Sequence, residues 1–263
     1  MENQTRPLAV ITGASSGIGL EFAKLCGAAG YDLLLIAEDE GVHTAAEALG
    51  GAASGVQSVQ ADLSTYAGNE DAAAAIAARP AGILALNAGF GNGGPFLETS
   101  LERDLALIQL NISSVVHLAK RALPAMVAAG AGRVLLTASI AGTMPGPYYA
   151  TYAASKAFVI SFAEALRFEL KDSGVTVTAL LPGPTDTPFF DRADMQDTPV
   201  YEGTKDDPAD VARDAFQALM SDDDKVVAGS VKNRLQAAAA KLLPDPVKAG
   251  LHAGLVKPKD PAQ

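Results

Sequence analysis

Five short apolar runs punctuate the chain: "LAVITG" from Leu8, "DLLLIAE" from Asp32, "GILALNAG" from Gly82, "GRVLLTAS" from Gly132 and "GVTVTALLPGP" from Gly174. Each is nearly continuous in apolar residues and is stopped by turn or breaker residues. Such runs predict strands buried on both faces, which suits a parallel sheet covered by helices on either side. The intervening "LEFAKLCGAAG" and "DLALIQLNISSVVHLAKRALPAMVAAG" carry apolar residues at helical spacing. The β-α alternation therefore predicts an α/β fold with a doubly wound parallel sheet, and 263 residues suit a single domain. "DKVVAGS" reads as a last strand and "EDAAAAIAARP" as a surface helix, and no repeat of 20–50 residues is found.

The loop after the first run, "TGASSGIG", has glycines at Gly13, Gly17 and Gly19. Glycine permits a tight turn and close approach to a ligand, and the N–H groups that open the following helix suit a pyrophosphate. The spacing is G-x-x-x-G-x-G and not G-x-G-x-x-G, so a plain Gly-rich turn stays open as the alternative. Glu38 closes the second strand 25 residues after Gly13, where a carboxylate can accept from an adenosine ribose. The βαβ unit is thereby complete, as expected of a Rossmann fold. Asp62 and the "NAG" of Asn87, Ala88 and Gly89 fall at the ends of the third and fourth strands, the edge where such sheets bind ligands.

"PYYATYAASK" offers three tyrosines before Lys156, and Tyr152 alone has the lysine at i+4, on the same helical face. A nearby cation favours the phenolate and is expected to lower the phenol pKa, so Tyr152 is the tyrosine that can move a proton. Ser139 ends the fifth run, where its hydroxyl can hold a substrate oxygen; taken alone it is also an ordinary turn or cap residue.

The order TGASSGIG, "ADL" at Ala61–Leu63, "NAG", Asn111, Ser139, Y-x-x-x-K and "PG" at Pro182–Gly183 resembles the single-domain short-chain dehydrogenase/reductase family over about residues 7–230. The resemblance implies a catalytic tetrad of Asn111, Ser139, Tyr152 and Lys156, and a nicotinamide on the loop from Pro182 to Thr187. The implied cofactor contacts are Gly13, Ser15, Ser16, Gly17, Ile18, Gly19, Glu38, Asp62, Leu63, Asn87, Ala88, Gly89, Tyr152, Lys156, Pro182, Gly183, Thr185 and Thr187. It implies an NAD(P)-dependent oxidoreductase moving a hydride between nicotinamide and a carbonyl or alcohol carbon, with Tyr152 carrying the proton and Asn111 anchoring a relay water. A homo-oligomer is also implied.

Two positions depart from the family pattern. Leu86 stands where a second Asn often precedes "NAG", with a consequence expected in sheet packing. Glu38 stands where the subgroup with a basic C-terminal helix beginning "KNRL" (here Lys232–Leu235) commonly has Arg. With Asp39 and Glu40 beside it, and no cation at Ser15 or Ser16, NAD is the expected cofactor; NADP remains the alternative should Lys24 or another cation reach its phosphate. Tyr148, Tyr149, Phe90, Phe96, Met144, Phe189 and Phe190 suggest an apolar substrate wall, though each also reads as core. The rival reading of the whole is a non-catalytic dinucleotide-binding regulatory module.

Residues 184–207, rich in proline and acids, form a candidate substrate lid or a plain surface excursion. Residues 231–263 hold six Lys/Arg against two Asp/Glu in a chain of net charge −10, and predict a basic C-terminal helix and tail, able to touch a membrane or partner or simply to lie in solvent. That net charge argues against nucleic-acid binding. His43, His117 and His252 are scattered without metal-ligand spacing, so no metal is expected; Cys26 sits among apolar residues as a core thiol. No run approaches the ~18 apolar residues of a membrane span, and the N-terminus lacks a signal-peptide pattern, so the expected location is cytoplasmic.

Overall fold

In the computed structural model, residues 6–51, 54–229 and 244–258 are described. Seven parallel strands form one sheet: β1 (Leu8–Thr12), β2 (Asp32–Ala37), β3 (Val56–Gln60), β4 (Ala81–Leu86), β5 (Gly132–Thr137), β6 (Val175–Pro182) and β7 (Lys225–Ala228), in the order β3-β2-β1-β4-β5-β6-β7. The order reverses between β1 and β4, the place where a doubly wound sheet opens a crevice at its carboxyl edge.

Alternate residues of each strand feed two separate cores. Val10, Leu34, Leu84, Val134 and Val177 face one layer, made by α3 (Tyr66–Ile76), α5 (Ser114–Ala129) and α6 (Ala150–Glu169). Ile11, Leu35, Ile83 and Leu135 face the other, made by α1 (Gly17–Ala28), α2 (Gly41–Ala48) and α9 (Pro208–Met220). Two-sided burial is why the strands read as unbroken apolar runs, and each fully buried Leu or Ile contributes about 1.5–3 kcal/mol. Leu86 is buried in the first of these cores, the packing role expected for it. Cys26 is buried in the second, and desolvation pushes its thiol up to about 12, which leaves it an unreactive filler.

The helix ends follow local chemistry. Thr65 caps α3 by accepting from Gly68 N at 3.0 Å, and Asp207 caps α9, where Pro208 fills the first helical position. α5 ends at Gly130, whose φ of +65° is the left-handed closure glycine allows. Between α4 (Leu101–Ile108) and α5, residues Gln109–Ser113 widen into a π-helical turn that contains Asn111.

Segment 184–207 is less irregular than its composition predicts. It contains two single-turn helices, α7 (Phe189–Arg192) and α8 (Pro199–Glu202), and buries Phe190, Ala193 and Met195. Its ends are pinned together, with Asp206 N donating to Pro184 O at 2.8 Å and Asp186 N to Asp206 O at 2.9 Å. The expected basic helix beginning at Lys232 lies outside the described residues up to Pro244, after which α10 (Asp245–Val256) follows. Among the described residues no helix is long and apolar enough to cross a membrane.

Candidate active site

A cavity of about 870 Å³ runs along the carboxyl edge of the sheet, from the glycine loop and the end of β2 to a chamber under α7, α8 and α10. Thr12 Oγ1 accepts from both Asn87 N (2.9 Å) and Ala88 N (3.0 Å), which ties the ends of β1 and β4 at the switch point. Asn87 reinforces this: its amide donates to Thr12 O at 3.2 Å and its oxygen accepts from Thr137 Oγ1 at 3.1 Å. Its side chain is thus committed to joining β1, β4 and β5.

Gly13, Ser15, Ser16, Gly17 and Ile18 line one end of the cavity, while Gly19 lies behind it. A Cβ at Gly19 would sit 2.2 Å from Gly13 O and 2.7 Å from Asn87 Nδ2, so the turn closes only on glycine. The cradle fits a dinucleotide: Ser16, Gly17 and Ile18 at the start of α1 line the cavity, and no side chain caps the helix N-terminus. Gly19→Ala is expected to lower the melting temperature and weaken nucleotide binding at least tenfold, read by thermal shift and NADH titration.

At the end of β2 the acids divide their work. Glu38 is exposed at the cavity rim. Asp39 is held by Ser15 Oγ at 2.8 Å and by Gly41 N at 3.0 Å. Asp62 is exposed and outside the cavity wall, with Oδ1 accepting from Ser64 N and Ser64 Oγ, while Ala61 and Leu63 on either side of it do line the wall.

The other end gathers residues from three elements. Ser139 follows β5 by two residues, and its Oγ accepts from Ala141 N at 3.1 Å at the start of the short 3-10 turn Ile140–Thr143. A Cβ at Gly142 would lie 2.6 Å from the Lys156 carbonyl carbon, so glycine is what lets this turn lie against α6. On α6, Tyr152 and Lys156 share a face, with Lys156 Nζ 5.6 Å from the Tyr152 ring centroid and donating to Thr137 O at 2.8 Å. Asn111 sits behind the wall: its amide donates to Phe90 O (3.0 Å) and Ser155 Oγ (3.1 Å), and its oxygen accepts from Phe90 N (3.2 Å). An added Cβ at Gly89 would meet both Asn111 Oδ1 at 2.9 Å and Lys156 Nζ at 3.3 Å, so those two groups converge there. Pro182, Gly183, Thr185 and Thr187 line the cavity as β6 leads into segment 184–207.

Burial changes the acid–base picture expected from the sequence. Desolvation pushes the Tyr152 phenol up to about 12, with hydrogen bonding to Ser139 pulling the other way, and lowers the Lys156 ammonium to about 8. The downward shift expected from the lysine is therefore not what results: burial raises the phenol, and the opposing pull comes from Ser139. Tyr149 stacks on Tyr152 with centroids 4.3 Å apart, and its buried hydroxyl has no hydrogen-bond partner among the described residues. Tyr148 adopts a φ of +59° and its carbonyl accepts from Gly94 N.

Sequence reasoning missed the α10 wall, where His252, Leu255 and Val256 line the chamber, and missed Arg103, Arg192 and Met195. Long-range packing carries them there, and none sits in a motif. Of the aromatics expected in the wall, Phe90, Tyr149, Phe189 and Phe190 line it with Met144, whereas Tyr148 lies outside it and Phe96 is both exposed and outside it. Among the described residues no three His, Cys, Asp or Glu side chains gather as metal ligands.

Residues 7–197 match the family model for the short chain dehydrogenase. The chain belongs to the short-chain dehydrogenase family. It is 33% identical over 223 residues to an oxidoreductase, UcpA, of Salmonella typhimurium, covering 83% of this chain and 82% of the relative. Among solved structures it is similar to a short-chain dehydrogenase from Sphingobium yanoikuyae in complex with NADPH (29% identity, TM-score 0.78, covering 97% and 99% of the two chains). A 3-ketoacyl-(acyl-carrier-protein) reductase from Brucella melitensis complexed with NADH is similar at 26% identity and TM-score 0.74, covering 84% and 96%. The short-chain dehydrogenase described here is thus an NAD(P)-dependent oxidoreductase, which leaves the non-catalytic module without support.

Proposed function

We propose that this short-chain dehydrogenase interconverts an apolar ketone and its secondary alcohol, with Tyr152 carrying the proton and NAD(H) as the preferred cofactor. The observation that carries the reading is the convergence of Ser139, Tyr152 and Lys156 in one wall of the cavity, beside a chamber of Phe90, Met144, Phe189, Met195 and Val256. When bound, the cofactor supplies the hydride acceptor or donor. Ser139 holds the substrate oxygen beside the Tyr152 hydroxyl. At pH 7 the buried phenol rests protonated, so in the reducing direction it gives its proton to the developing alkoxide. Lys156, protonated below about pH 8, stabilises the phenolate left behind. The Asn111 amide is occupied by Phe90 and Ser155, so a relay water would meet the remaining lone pair of Oδ1 beside Lys156.

The preference for NAD rests on Glu38, Asp39 and Glu40 at the end of β2. Lys24 is paired with Glu21 at 2.6 Å, on its own helix, which argues against it as the cation for a 2′-phosphate. Repulsion between carboxylates and that phosphate at ~4–6 Å in a partly solvated site is worth on the order of 1–3 kcal/mol, or roughly ten- to a hundredfold in affinity. A panel of ketones and secondary alcohols assayed with both cofactors tests the whole reading. The wild type is expected to turn over with NADH in preference to NADPH, and Glu38→Arg to shift toward NADPH. No turnover of any apolar ketone would overturn the substrate assignment, and a wild-type preference for NADPH would overturn the cofactor assignment.

A further inference from the structure

The cavity wall contains three Lys or Arg side chains among the described residues: Arg103, Lys156 and Arg192. Lys156 belongs to the Tyr152 end. Arg103 lies 5.8 Å from the Phe90 ring centroid, pairs with Asp194 at 3.3 Å and donates to the Arg192 carbonyl. Arg192, the last residue of α7, instead reaches across the cleft, with Nη2 3.8 Å from Asp39 Oδ2. This is a contact between the lid segment and the end of β2, where the adenosine ribose of a dinucleotide lies.

Resting on the dinucleotide reading above, we infer that Arg192 reads the 2′ position of the adenosine ribose by exchanging Asp39 for a 2′-phosphate. Both side chains of the pair are 40–49% exposed, and at 3.8 Å the ion pair is long, so it is readily given up. Asp39 does not need it: Ser15 Oγ and Gly41 N remain on its two oxygens after Arg192 leaves. A phosphate offers the guanidinium more charge, and room for the bidentate geometry that the single 3.8 Å contact to Asp39 lacks. Glu38, Asp39 and Glu40 repel a 2′-phosphate, and Arg192 offsets part of that repulsion. The size of the NAD preference is therefore set by two opposed elements, the acids of β2 and one cation from the lid. The backbone role of Arg192 is independent of its side chain, because Arg103 binds its carbonyl.

The test separates nucleotide reading from turnover. Calorimetric titration of the intact protein with 5′-AMP and with adenosine 2′,5′-bisphosphate compares the two ribose states without any reaction. The chain contains no Trp, so NADH and NADPH fluorescence provides a second readout with little interference. Arg192→Ala is expected to weaken the bisphosphate about tenfold and 5′-AMP less than twofold, while Arg192→Lys keeps part of the bisphosphate affinity because it keeps the charge. Equal weakening of both ligands, or no change in either, overturns the inference while leaving the dehydrogenase reading intact. A wild type that binds 5′-AMP and shows no measurable affinity for the bisphosphate overturns it too. A wild type that binds neither ligand and neither dinucleotide overturns the inference together with the nucleotide site on which it rests.

Discussion

Tyr152→Phe is expected to lower kcat by at least about a thousandfold while leaving NADH affinity within about twofold. The substitution removes one oxygen and keeps the ring, so the stack on Tyr149 at 4.3 Å and the tilted contact with Phe189 at 5.4 Å survive. What is lost is the proton donor, whose contribution in such reactions is typically 10²–10⁴-fold. Tyr149→Phe is the matched control. Its ring occupies the neighbouring wall, but its hydroxyl is buried without a partner, so removing it is expected to leave kcat within a few-fold and to stabilise the fold slightly. Steady-state kinetics and NADH titration of the two variants decide the matter. A Tyr152→Phe enzyme retaining a tenth of the wild-type kcat, or a Tyr149→Phe enzyme losing as much as Tyr152→Phe, would mean that the proton is carried elsewhere.

That Tyr152 and Lys156 share a face is legible in "PYYATYAASK" because a helix is rigid: spacing of four fixes a shared face whatever the rest of the chain does. The same holds for the glycine loop and the strand ends, where the sheet itself delivers each residue to one edge. β3, "VQSVQ", is not among the five apolar runs, because as an edge strand it is buried only in part and carries Gln57, Ser58 and Gln60 among its five residues. The direction of the Tyr152 shift was not legible either. Sequence places a lysine four residues from the phenol, but the shift is set by how deeply the fold buries the ring, with only the Ser139 hydrogen bond pulling the other way. Contacts made by segment 184–207 and by α10, such as Arg192 on Asp39 and His252 on the chamber, depend on how distant segments fold back. No local period encodes them.

Lys156→Met is expected to abolish turnover and, in the nucleotide-free protein, to remove a rise of stability with pH. Burial holds the folded Lys156 at about 8 against an ordinary value of 10.5. Below pH 8 folded and unfolded chains both carry the proton, and the fold bears the full cost of burying a cation. Between about 8 and 10.5 the unfolded chain keeps a proton that the folded chain has released, so the unfolding free energy rises with pH, at up to about 1.4 kcal/mol per unit for one proton. The clean part of this window is pH 8 to 9. Above 9 the Cys26 thiol, raised by burial from 9.0 to about 12, begins to act with the opposite sign, since the folded chain then holds the extra proton. Tyr152 joins in that direction only above 10. Methionine keeps the length of the side chain and has no proton to lose, so comparing the two proteins cancels the Cys26 contribution. The variant leaves Thr137 O without its donor, a penalty that subtracts from any gain at pH 7 but does not depend on pH. Urea unfolding at pH 7.0, 8.0, 8.5 and 9.0 is expected to show the wild type gaining about 1 kcal/mol on the variant across the window. Parallel curves would show that Lys156 keeps an ordinary pKa in the folded chain, and the stabilising cation assigned to the Tyr152 phenolate would then persist undiminished well above pH 8.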